Sequence, residues 1–147
     1  MKGAFMWFVV FIVVCLVAVV WATVPEPPKT DMELLFRAIC IVESNDNSDA
    51  YNKTENAVGC AQIRPIMVED VNRISGKRFR HFNAYERDKS YEMFCIFQNH
   101  YNKGKSMSQM ARCWNGGPNG HKKTATLAYW NKVKDVLAAL KAMEGRA

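Results

Sequence analysis

The stretch Met32-Glu33-Leu34-Leu35-Phe36-Arg37-Ala38-Ile39-Cys40-Ile41-Val42-Glu43 decides how the rest of the chain is read. Its apolar residues at 32, 35, 36, 39 and 42 step by three and four, the spacing of one face of an α-helix. Thr30 or Asp31 can cap that helix. Ser44-Asn45-Asp46-Asn47-Ser48-Asp49 ends it in a polar loop. Glu43 comes four residues after Ile39 and so extends the apolar stripe to the C-terminal end. A carboxylate is disfavoured there twice, because desolvation and the negative end of the helix dipole both raise its pKa. An acid that keeps its proton near neutral pH is what the protonation of a poor leaving group, such as a glycosidic oxygen, requires. A glutamate that merely faces solvent where its helix ends is the plainer alternative.

Outward from that helix, residues 50–63 have no helical period, and 56–63 fit a short hairpin or an irregular loop. Pro65 suits the first position of a helix over 65–75, with Ile66, Met67, Val71 and Ile74 inward and Gly76 as its stop. Residues 77–87 are basic and aromatic, and read as a solvated loop rather than a nucleic-acid patch. Asp88 or Ser90 opens a helix to about Lys103, with Tyr91, Phe94, Cys95, Gln98 and Tyr101 on one side. Ser106-Met107-Ser108-Gln109 is a capping-box sequence for a short helix with Met107, Met110, Ala111 and Trp114 inward. Asn115-Gly116-Gly117-Pro118-Asn119-Gly120 is a loop. A last amphipathic helix is predicted from about Thr124 to Ala142. The fold class is therefore mainly α: a compact helical domain with one irregular loop or short hairpin, preceded by an N-terminal apolar helix.

That apolar segment speaks to location. Met1-Lys2-Gly3 is a short positive start, and no charge occurs from Phe5 to Val24. Residues 1–24 read as a secretory signal peptide or a transmembrane signal anchor. Residues 25–30, with Pro25-Glu26-Pro27-Pro28, read as a Pro-rich linker, and 31–147 as the domain. Either reading of the first segment exports the domain to the periplasm or cell envelope. Cys40, Cys60, Cys95 and Cys113 fit export, since an even number in an exported domain suggests two disulfides. Their spacing has no zinc pattern, and no metal or cofactor is expected. Of 147 residues, 49% are hydrophobic and 23% charged, which excludes a mainly disordered chain. The net charge of +6 suits an anionic partner. The absence of a nucleic-acid motif argues against nucleic acid.

Three polar loop signals follow one another: Glu43-Ser44, then Gly59-Cys60-Ala61-Gln62-Ile63, then Ala111-Arg112-Cys113-Trp114-Asn115-Gly116-Gly117. Thr126-Leu127-Ala128-Tyr129 comes after them. In this order the motifs resemble those of the lytic transglycosylases with a soluble-lytic, goose-lysozyme-like catalytic domain. The resemblance covers residues 32–135. The family usually has Tyr at the position of Trp114, and a bulky residue and Met at those of Cys60 and Ala61, so sugar contacts or packing differ.

The resemblance implies an α+β lysozyme-like fold and cleavage of the MurNAc–GlcNAc β-1,4 bond in peptidoglycan glycan strands. Glu43 would be the single acid and then the base, and ring closure by the sugar's own C6 hydroxyl would leave 1,6-anhydroMurNAc ends. By the same resemblance, Ser44 and Gln62 would position the substrate. Asn115 and Tyr129 would line the cleft and hold Glu43, and Trp114 would offer a stacking face. Cys40 with Cys113 is the favoured disulfide, since both precede motifs that must converge on one cleft. Two other outcomes stay open: lysozyme-type hydrolysis, with Asp46 or Asp49 positioning a water, and a catalytically idle peptidoglycan-binding module of a larger cell-envelope machine.

Overall fold

The computed structural model describes residues 30–145. The expected signal or anchor segment 1–24, and the linker apart from Thr30, lie outside the described residues. Helix α1 spans Asp31–Ser44. Its start is fixed by a capping box: Thr30 Oγ1 accepts from the Glu33 N–H at 3.2 Å, and the Glu33 carboxylate accepts from the Thr30 N–H at 2.6 Å. Its end is fixed by Asn45, left-handed at φ 61°, one of the few residue types besides glycine that enter this region at low cost. A two-residue strand β1 (Tyr51–Asn52) pairs antiparallel with β2 (Ala57–Val58), Tyr51 opposite Val58. The hairpin thus lies over 51–58, earlier than the 56–63 at which the sequence allowed a hairpin or an irregular loop, and it runs into an irregular loop.

Helix α2 (Pro65–Ser75) begins on its proline and stops at Gly76, φ 70°. A 3-10 turn (His81–Tyr85) occupies part of the basic segment expected as loop, and leads into α3 (Arg87–Tyr101). Ser106 and Gln109 form the predicted capping box at the head of α4 (Met107–Gly116). Two 3-10 turns, Gly120–Lys122 and Thr124–Thr126, precede α5 (Leu127–Glu144). None of the described helices is long and apolar enough to cross a membrane.

Helix α1 is the central strut. Leu34, Leu35, Phe36, Ala38, Ile39 and Cys40 are buried on more than one side. Helix α5 lies along it with Val133, Leu137 and Leu140, while α3 and α4 close the other flank with Met93, Phe94, Phe97, Ala111, Cys113 and Trp114. Each fully buried Leu, Ile or Phe contributes about 1.5–3 kcal/mol, so α1 is held far more firmly than a fourteen-residue helix could hold itself.

Helix α3 is rotated by about one residue from its predicted face. It buries Ser90, Met93, Phe94, Phe97 and Gln98. Tyr91, Cys95 and Tyr101 sit at the margin of the core. Two polar residues carry the rotation. The Ser90 hydroxyl donates to the Ala84 carbonyl at 2.7 Å, and the Asn102 amide donates to Gln98 Oε1 at 2.7 Å. Satisfied in this way, they no longer oppose burial.

Candidate active site

Glu43 emerges from the last turn of α1, half-buried, where α5 passes it. Tyr129, in the first turn of α5, donates its hydroxyl to Glu43 Oε1 at 2.8 Å. Burial pushes the Glu43 carboxyl above the ordinary range; the Tyr129 hydrogen bond pulls it back, Glu55 pushes it up, and Arg64 pulls it down. Desolvation is the largest of these. The Tyr129 hydroxyl is itself pushed well above the usual tyrosine value, by burial and then by the charge of Glu43, so it remains a donor.

The loop after β2 forms the next wall. Gly59 is left-handed at φ 77°, and a Cβ there would lie 1.8 Å from the Ala84 carbonyl oxygen. Only glycine lets the loop lie this close to the 3-10 turn. Gln62 is also left-handed, at φ 49°, which costs strain in a residue with a long side chain. Its amide donates to the Gly59 carbonyl at 2.9 Å, closing the loop on itself. The Ser44 hydroxyl donates to the Cys60 carbonyl at 2.8 Å and accepts from the Asn47 N–H at 3.1 Å. Ser44 thus ties the loop to the end of α1, and its hydroxyl is committed to the backbone.

The third wall is the end of α4. Trp114 is only 4% exposed and donates its indole N–H to the Ala61 carbonyl at 3.3 Å. Its ring meets Phe94 and Phe97 edge-on, with centroids 5.1 and 5.7 Å away. The stacking face expected of Trp114 is therefore turned into the core, because the aromatic residues of α3 fill the space on that side. Asn115, one residue on, is exposed and makes no side-chain hydrogen bond among the described residues. Of the five residues expected around Glu43, only Tyr129 bonds to it. Ser44, Gln62 and Trp114 organise the neighbouring loop, and Asn115 stands free at its edge.

Two charged neighbours of Glu43 were not singled out in the sequence. Glu55 lies in the hairpin turn and Arg64 caps α2. No periodic pattern marks either one; only the register of the hairpin brings Glu55 round. Asp46, by contrast, is ion-paired with Arg87 and so turned to α3. Asp49 is exposed in the loop after α1.

The four cysteines among the described residues are free thiols. Cys40 Sγ donates to Cys60 Sγ at 3.2 Å, and Cys113 lies against the Pro118 carbonyl and His121 Nδ1. The pairing Cys40–Cys113 is not formed, because α4 presents Cys113 to its own following loop. Cys40, Cys60 and Asp46 are the one grouping of metal-ligand type among the described residues. Arg87 already engages the carboxylate of that group.

From Met93 to Lys134 the chain has no Asp or Glu but seven Lys and Arg, none of them ion-paired among the described residues. This stretch contains Trp114, Asn115 and Tyr129, so one side of the site is built on a wholly cationic segment.

No family model matches the chain. Invertebrate-type lysozyme 6 of Caenorhabditis elegans is 31% identical over 112 residues, covering 67% of this chain and 81% of the relative. Invertebrate-type lysozyme 3 of the same animal is 30% identical over 110 residues, covering 65% and 79%. An identity at this level across four-fifths of a relative joins a fold whose first described helix carries a half-buried acid at its C-terminal end: the chain belongs to the invertebrate-type lysozyme family.

Proposed function

We propose that the protein is an exported muramidase that hydrolyses the MurNAc–GlcNAc β-1,4 bond of peptidoglycan. The observation that carries this is the Tyr129-bonded carboxyl of Glu43, pushed up by burial. The names of the relatives support hydrolysis over other glycan chemistry. Glu43 gives its proton to the glycosidic oxygen through Oε2, since Oε1 is held by Tyr129. The leaving sugar departs as an alcohol, and positive charge builds at the anomeric carbon. Glu55 is the acid whose charge reaches Glu43. On the exposed hairpin turn it has the freedom to meet a water entering from solvent, orient its oxygen toward that carbon and take up the proton that the water loses as the new C–O bond forms. The apolar segment before residue 25 and the four cysteines of residues 31–147 support export, either anchored in the membrane or released from it.

Lytic transglycosylation is the second reading. It is favoured by the Glu43-Ser44, Gly59–Ile63 and Trp114–Gly117 motifs, whose Gln62 and Asn115 are uncharged. There the C6 hydroxyl displaces the leaving group, and a tethered, oriented group has an effective concentration of about 10⁵–10⁸ M in well-aligned cases. Digestion of purified peptidoglycan in oxygen-labelled water separates the two. Hydrolysis gives fragments with a free reducing end carrying the label. Unlabelled 1,6-anhydro ends, one water lighter, establish transglycosylation. Intact glycan with wild-type protein leaves a binding module.

A further inference from the structure

Arg64, whose charge reaches Glu43, also lines a cavity of about 450 Å³ between α2, α3 and the Gly117–Pro118 corner. Its walls continue the two loops that shape the site. Arg64 comes two residues after Gln62, and Gly117 two residues after Asn115. The Trp114 indole pins these loops together through the Ala61 carbonyl. The volume falls within the about 300–1,000 Å³ of small-ligand sites.

The lining is selective. Met67, Phe97 and Pro118 make it apolar, and Ile66 stands at its lip 69% exposed. An isoleucine this exposed adds nothing to the core. Asp70 and Tyr101 are spent on each other and on Arg73: Tyr101 donates to Asp70 Oδ2 at 2.8 Å, and Arg73 Nη2 donates to Tyr101 at 2.9 Å. Arg64 alone among the charged lining residues makes no side-chain hydrogen bond or ion pair among the described residues. A sugar would need several free hydrogen-bonding side chains. This cavity instead suits a short chain with small alkyl groups and one free carboxylate, which a guanidinium grips as a fork.

We propose that this cavity seats the stem peptide carried by the muramic acid of the substrate, with Arg64 pairing to a peptide carboxylate and Ile66 and Met67 covering its alanine methyl groups. The proposal rests on the peptidoglycan reading above, which supplies a peptide tethered one ether link from the sugar that enters the cleft.

The test is titration calorimetry on the full chain carrying Glu43→Gln, which binds without cleaving. The two ligands are a GlcNAc–MurNAc disaccharide bearing L-Ala-D-isoglutamate and the same disaccharide without peptide. The peptide-bearing ligand is expected to bind about tenfold or more tighter, the gain of one hydrogen-bonded charge pair. Arg64→Gln and the surface change Ile66→Ser, each added to Glu43→Gln, are expected to abolish most of that difference, and Ile66→Ser is expected to leave the peptide-free affinity unchanged. Equal affinities for the two ligands, no binding of either, or variants that weaken both alike would overturn the proposal. Wild-type protein that cleaves intact and peptide-stripped peptidoglycan with the same kcat/KM would also overturn it while leaving the proposed reaction standing. Absence of any cleavage counts against the reaction, and the calorimetric comparison still decides the cavity.

Discussion

Glu43 carries two opposite demands. Burial holds its proton ready, and the same burial makes its charged form a burden on the fold. A carboxyl with a raised folded-state pKa stabilises the protein below the unfolded-state value, and that contribution is lost as pH rises through the folded-state value. Glu43→Gln is therefore expected to raise Tm at neutral pH, with the gain vanishing in acid where both forms are neutral. The same change should lower glycan cleavage by about 10²–10⁴-fold or more, since the amide keeps the shape but has no proton to give. Melting curves across pH and turbidity loss of peptidoglycan read the two effects separately; an acid-independent Tm shift would refute the assignment. Tyr129→Phe deletes the bond that pulls Glu43 down. The alkaline limb of the activity profile should then move to higher pH, while a merely structural tyrosine would lower activity at every pH alike. The acid itself was legible in the sequence, because its place on the stripe of α1 follows from periodicity. Trp114 was misread for the converse reason: a motif shows what precedes and follows a residue, not which side of it the next helix occupies.

The elements owe their accuracy in the sequence to their punctuation. Pro65, Gly76 and the Ser106–Gln109 box each fix a backbone state that no tertiary contact overrides, and the helices begin or end on them. The loop from Gly59 to Gln62 has no such marks, and its path depends on the 3-10 turn, a long-range contact. Gly59→Ala is expected to cost more than about 2 kcal/mol and to depress activity, because a methyl group would meet the backbone of Ala84. Gly76→Ala, with the same sign of φ but open space around it, should cost only about 1 kcal/mol. Paired denaturant curves test the contrast, and equal losses at both sites would refute it. Helix α1 and the same loop also meet at Cys40 and Cys60, whose sulfurs are 3.2 Å apart. Export into an oxidising medium is expected to join these two, with each thiol losing a hydrogen to a disulfide such as oxidised glutathione. Peptide mapping without reduction should give a Cys40–Cys60 species, and recovery of Cys40 linked to Cys113 would contradict it. The convergence of the two motifs favoured the second pairing, because sequence does not show that Cys113 faces its own loop.

At the scale of the whole molecule, charge is sorted by position along the chain. The acids precede Met93 or follow Lys134, and the seven cations between them lie on the segment that also carries Trp114, Asn115 and Tyr129. Neither the helix periods nor the motifs reveal this, since each cation alone looks like an ordinary exposed residue. On the proposed function, this segment would give capture of a negatively charged polymer an ionic component, whose reach salt above the physiological range shortens to well under about 8 Å. What speeds arrival also slows departure. In dilute salt the enzyme is expected to stay bound to the cell wall it has just cut, so turnover waits on desorption. In concentrated salt it leaves freely but rarely lands. Lysis rate against sodium chloride concentration should therefore pass through a maximum. Replacing Lys122 and Lys123 with glutamine, both exposed in the turns before α5, should move that maximum to lower salt, so that the ionic strength of its surroundings works as a rate setting for the enzyme.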